Sequence, residues 1–75
     1  MIKLPVVSGR QAVRALQKLG FEIRRRESTH MVLSRLDPYC LVVVPDHKTI
    51  SPGTLRDILR RADVSKEDFA EALRK

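Results

Sequence analysis

The sequence predicts an α+β fold in which helices pack on one face of a small three-stranded antiparallel sheet, in the order α-β-β-β-α with a short extra helix at the C-terminus. Three observations predict it. Ala12, Leu16 and Leu19, helped by Ala15, recur at three- and four-residue spacing, the period of a helix with one buried face. Phe21 and Ile23, then Met31 and Leu33, are apolar at every second position, the period of half-buried strands. After an apolar run over residues 39–44, the residues Leu55, Ile58, Leu59 and Ala62 return to the helical period.

Ser8 and Gln11 form a capping box that opens a helix over residues 9–19, and Gly20 closes it where a left-handed cap needs no Cβ. Arg10, Arg14 and Lys18 follow one another at i, i+4 and i+8 as a basic ridge. Such a ridge suits a phosphate backbone, and it is also the charged stripe that any surface helix shows. The next stretch, Arg24-Arg25-Arg26-Glu27-Ser28-Thr29-His30, reads as the turn of a β-hairpin. With the four alternating apolar residues on one face, Ile23 is set opposite Met31 and Arg24 opposite His30, leaving Arg26, Glu27 and Ser28 as a three-residue loop. Arg24 and Arg26 then share the solvent face with His30. A guanidinium beside an imidazole is a place to hold a phosphate and move a proton. The same pattern also describes a solvated edge with a chance histidine.

Leu36-Asp37-Pro38 has the chemistry of a turn, and Tyr39 to Val44 forms a third strand that Pro45 ends. Ser51 and Pro52 give a cap and a first helical position, and Asp57 and Arg61 are spaced to pair at i, i+4. Ser65 caps the last helix, with Phe69, Ala70 and Leu73 facing in.

Seventy-five residues make one domain, 1–75, with a core near the lower limit for independent stability. No run of 18 apolar residues occurs and the first residues are too short for a signal peptide, so a cytoplasmic protein is expected. Cys40 is the single cysteine, which excludes a disulfide framework and a thiolate metal site; it reads as a small buried hydrophobe. Residues 1–35 carry eight basic and two acidic groups, whereas residues 36–75 carry seven of each, so the net charge of +6 belongs to the first helix and the hairpin. A localised basic surface points to a polyanion, nucleic acid before membrane, or else serves solubility. No carboxylate pair, Ser-His-Asp order, phosphate-cradling glycine loop or zinc spacing is present, and no metal or cofactor is expected. Phe21, Tyr39 and Phe69 are the only aromatics, so contacts to a nucleic acid should fall on its phosphate and sugar rather than on stacked bases.

Several segments together resemble the HicA (YcfA) family of bacterial toxin-antitoxin mRNA interferases over roughly residues 8–64. They are Leu19-Gly20-Phe21 at the helix end, Ser28-Thr29-His30 in place of a Gly-Ser-His turn, Pro45-Asp46-His47 followed by Lys48, and Gly53-Thr54-Leu55-Arg56-Asp57-Ile58-Leu59. The resemblance implies a fold similar to the double-stranded-RNA-binding domain and metal-independent cleavage of mRNA that arrests translation. It also implies a HicB-like antitoxin as partner and puts His30 at the position of the catalytic histidine. Ser28 stands where the family has glycine, and a positive φ there would cost a serine on the order of 1 kcal/mol.

In that chemistry His30 acts as general acid or base, and Arg24 first and Arg26 second steady the charge on phosphate. Arg10, Arg14 and Lys48 are further RNA-binding candidates. His47, just before a helix N-terminus, is the candidate for a second proton transfer, its plainer role being to cap the loop or pair with Asp46. Two other functions stay open. One is a non-catalytic RNA-binding module, favoured by the absent turn glycine; the other is a protein whose basic face docks an acidic antitoxin.

Overall fold

The computed structural model describes residues 4–36 and 38–75. Its elements are α1 (Gly9–Lys18), β1 (Glu22–Arg26), β2 (His30–Arg35), β3 (Cys40–Pro45), α2 (Pro52–Ala62) and α3 (Lys66–Arg74). The strands form one antiparallel sheet in the order β1-β2-β3, giving the α+β architecture expected from the sequence. Asp37, in the expected Leu36-Asp37-Pro38 turn, lies outside the described residues.

Caps chosen by the sequence set the helix ends. In α1 the Gln11 amide donates to Ser8 Oγ (3.1 Å) while the Ser8 amide donates to Gln11 Oε1 (2.9 Å), completing the capping box. Gly20, at φ +102°, takes the left-handed turn out of this helix. Ser51 and Ser65 accept from the amides of Thr54 and Asp68 at the starts of α2 and α3. At the end of α2 the left-handed residue is Asp63 (φ 57°), a conformation its short polar side chain tolerates. Asp57 pairs with Arg60 (3.7 Å), one position short of the expected Arg61, whose carbonyl instead accepts from Cys40 Sγ (2.7 Å). Cys40 is half-buried rather than buried.

The core lies between the sheet and α1 and α2. Leu16, Phe21, Met31, Leu33, Val42, Val44 and Leu55 are all fully buried there, and Phe69 of α3 joins them. α3 packs chiefly on α1; Phe69 and Ala72 are its buried residues, while Ala70 and Leu73, expected to face in, are half-buried.

The hairpin register differs from the expected one. Ile23 pairs with Leu33 and Glu22 with Ser34; a bulge at Arg24 then brings Arg25 opposite Val32 and Arg26 opposite Met31. Alternation requires only that core residues meet core residues, and Ile23 opposite Leu33 satisfies it as well as Ile23 opposite Met31. The slip of two residues at Ile23 moves Arg24 away from His30, the bulge carries one extra residue, and the loop becomes Glu27–Thr29. On β3, His30 pairs with Pro45.

Gly9 sets how closely α1 approaches this sheet. Its amide donates to the His47 carbonyl (2.8 Å), and a Cβ built on it would collide with the Pro45 carbonyl oxygen and press within 3.1 Å of Asp46 Cα. These are backbone atoms at the end of β3 and cannot swing aside. Gly9→Ala is therefore expected to destabilise the fold by about 1–3 kcal/mol despite alanine's better helix propensity, measured by urea unfolding. A variant as stable as wild type would show that the contact is loose.

Candidate active site

Three segments meet at one end of the molecule: the hairpin tip, the loop after β3 and the start of α1. Each tie is a backbone hydrogen bond. The Glu27 amide donates to the His30 carbonyl (2.8 Å), closing the turn over Ser28 and Thr29. The Asp46 amide donates to the Thr29 carbonyl (2.8 Å), fastening the tip to the loop. Gly9 donates to His47 as above, and Ile50 donates to the Val7 carbonyl (2.8 Å), fastening the loop to the approach of α1. Pro45, which has no amide to give, falls where Asp46 takes over the bonding to the hairpin.

His30 is exposed at the first position of β2, on the sheet face turned away from the helices. Its Nδ1 lies 2.8 Å from Thr29 Oγ1. The hydroxyl donates to that nitrogen or accepts from it according to the tautomer, and in both cases Nε2 is left for a ligand. Asp46, joined to Thr29 through its amide, also faces Arg10 Nε from Oδ1 at 3.7 Å. This pair is largely solvated on the arginine side, so it contributes little to stability and leaves the guanidinium at the rim of the site. The arrangement therefore joins an imidazole of fixed orientation, a cation at a helix start and the exposed loop residues His47 and Lys48.

The expected arginines fall elsewhere. Arg24 donates from Nε to Ser34 Oγ (2.6 Å) and pairs with Glu22 (3.2 Å). Ser34 is four residues along β2 from His30, on the order of 13 Å at the rise of an extended strand. Arg26 pairs with core-facing Met31 and so belongs to the opposite face from His30. Arg24 is displaced because Ile23 pairs with Leu33 rather than Met31, and Arg26 because the bulge turns it to the other face. Arg14 lines a crevice with Gln11 and Lys18 between α1 and α3, and Lys18 donates to the carbonyls of Ala72 (3.1 Å) and Lys75. The basic ridge of α1 is thus divided: Arg10 at the tip, Arg14 and Lys18 against α3. The Asp46 carboxylate pairs with Arg10, not with His47 as the sequence had allowed.

Thr29, Asp46 and Gly9 are the residues that sequence reasoning passed over. Thr29 was visible beside His30, but Asp46 and Gly9 act through contacts distant in sequence. Ser28 carries no left-handed strain: Asp63 is the only non-glycine among the described residues with positive φ, so serine is tolerated where the resemblance has glycine.

Fold and charge define a small basic α+β protein whose hairpin tip displays a hydroxyl-bound histidine beside the start of a helix. Residues 9–64 match the family described as the HicA toxin of bacterial toxin-antitoxin, and the chain belongs to that family. Membership gives it the toxin's role in such a pair and an antitoxin as partner. The match stops short of α3. No curated protein matches the chain. Among the described residues no helix is long and apolar enough to cross a membrane.

Thr29→Val removes the hydroxyl beside Nδ1 without removing its backbone bond to Asp46. The His30 ring nitrogens should then shift in nitrogen-15 spectra while the amide spectrum elsewhere is retained. An unchanged Nδ1 signal would mean the hydrogen bond is not populated.

Proposed function

We propose that this HicA-family toxin is a metal-independent endoribonuclease, with His30 as its acid–base group, and that a HicB-like antitoxin neutralises it. The chain acts as one domain, in the cytoplasm, on mRNA. The observation that carries the reading is the exposed His30 imidazole, tethered through Nδ1 to Thr29 at the junction of the hairpin tip and the start of α1.

Cleaving RNA without a metal requires the 2′-hydroxyl to lose a proton as it attacks phosphorus, and the leaving 5′-oxygen to gain one. An imidazole performs either transfer at neutral pH, typically contributing about 10²- to 10⁴-fold. His30 takes one of these roles through Nε2. Arg10 is the cation that the tip geometry favours for the phosphate, with Lys48 on the adjoining loop. His47 is the candidate for the second proton transfer. A non-catalytic RNA-binding module is the second reading, favoured by the separation of Arg24 and Arg26 from His30.

RNA cleavage in excess chelator separates the two readings. Wild type should cut, and His30→Ala, with its circular dichroism retained, should lose about 100-fold or more of the rate while keeping RNA affinity within a few-fold. Two proteins that bind RNA equally and cut nothing would leave the binding module. Because the contacts are to phosphate, affinity should fall about tenfold or more between 50 and 200 mM salt. A salt-independent constant would contradict a phosphate-led interface.

A further inference from the structure

The sheet face turned away from the helices holds a groove that the proposed chemistry does not use. Val32 and Ser34 on β2 form its floor and are only 9% and 2% exposed, although no helix lies over them. Side chains wall it in. Arg24 and Arg25 stand on the β1 side and Leu36, Tyr39 and Leu41 on the other, flanking an open depression of about 560 Å³. Leu36, Tyr39, Leu41 and neighbouring Val43 are between 44% and 67% exposed. Val43 shares the face because it pairs with Val32, and Leu41 because it pairs with Ser34. Of the large apolar side chains exposed among the described residues, only Val6 lies elsewhere. Such a cluster on so small a chain marks a contact surface rather than a solvated face.

Its chemistry selects among occupants. RNA is poorly served: one aromatic ring is available, the cations stand on one wall only, and both are already engaged, Arg24 with Glu22 (3.2 Å) and Arg25 with Glu27 (3.4 Å). A second copy of the chain is opposed by its charge, since the contact would bring two chains of net charge +6 together. A protein segment of aliphatic and acidic residues satisfies both walls. We propose that the groove docks such a segment of the antitoxin. Its aliphatic side chains lie on Val32, Tyr39 and Leu41, and its carboxylates take over Arg24 and Arg25 from Glu22 and Glu27. The proposal rests on the HicB-like antitoxin named above and adds where, and by what chemistry, it is held.

The probe is the toxin's purified cognate antitoxin, titrated by calorimetry against wild type, Leu41→Ser, Tyr39→Ser and Arg25→Glu. All three positions are exposed, so circular dichroism should be unchanged; Tyr39→Ser and Arg25→Glu keep the test intact should Leu41→Ser misfold. Each variant should weaken antitoxin binding by about tenfold or more, as expected for anchors at the centre of an interface, while RNA cleavage by the free toxin stays within about twofold. Wild-type antitoxin affinity in the folded variants would overturn the proposal. So would a loss of RNA binding with antitoxin binding intact, which assigns the groove to RNA, or a dimer of the free chain that Leu41→Ser dissolves, which assigns it to a second copy. Groove-dependent antitoxin binding by a wild type that cuts no RNA would sink the nuclease reading and leave the groove standing. A wild type that binds no antitoxin would overturn the groove.

Discussion

The close approach of Gly9 to the end of β3 is the constraint on which the rest of the site depends. Without a Cβ, the first turn of α1 comes near enough for the Gly9 amide to reach the His47 carbonyl, and this holds the loop after β3 against the helix start. The loop in turn holds the hairpin through Asp46 and Thr29, and Thr29 orients His30. Each of these contacts is a single ordinary hydrogen bond, worth roughly 1 kcal/mol alone. Their value lies in sequence: a displaced α1 would release the loop, and a released loop would free the turn that carries the histidine.

A second consequence concerns the division of charge. The bulge at Arg24 puts two consecutive arginines, Arg24 and Arg25, beside the open sheet face and sends Arg26 to the helix side. Part of the positive charge concentrated in residues 1–35 is thereby set in two places. One is the tip, where Arg10 meets Asp46 near His30; the other is the wall of an apolar groove. Both lie on or beside one sheet face, since His30, Val32 and Ser34 are alternate residues of β2. Under the function proposed above, the tip would serve RNA and the groove the antitoxin, two surfaces of different character.

The sequence made the architecture readable because its signals are local. Serines at residues 8, 51 and 65 cap three helices, Gly20 supplies the left-handed exit from the first, and alternation in the hairpin chose which face is buried. It did not make the register readable, because a two-residue slip preserves the pattern: Ile23 meets a core residue whether it faces Met31 or Leu33. His30 was legible from its place in the turn, whereas its surroundings were not. Arg10 and Asp46 are 36 positions apart, and their meeting depends on Gly9, which in the sequence looks like an ordinary helix start. The groove was hidden for a related reason. Val32, Leu41 and Val43 read as strand residues of a sheet with helices on one face only, but that Arg24 and Arg25 stand beside them follows from the register and the bulge.

Under the proposed function the tip, and not the triple-arginine segment, is the phosphate-handling site around His30. The rates of RNA cleavage by Arg10→Ala and Arg24→Ala, compared at matched folding and saturating RNA, test it directly. Losing Arg10 should slow cleavage by about tenfold or more, and by far more than losing Arg24 does. The reverse order would place the reacting phosphate beside Arg24 and contradict it.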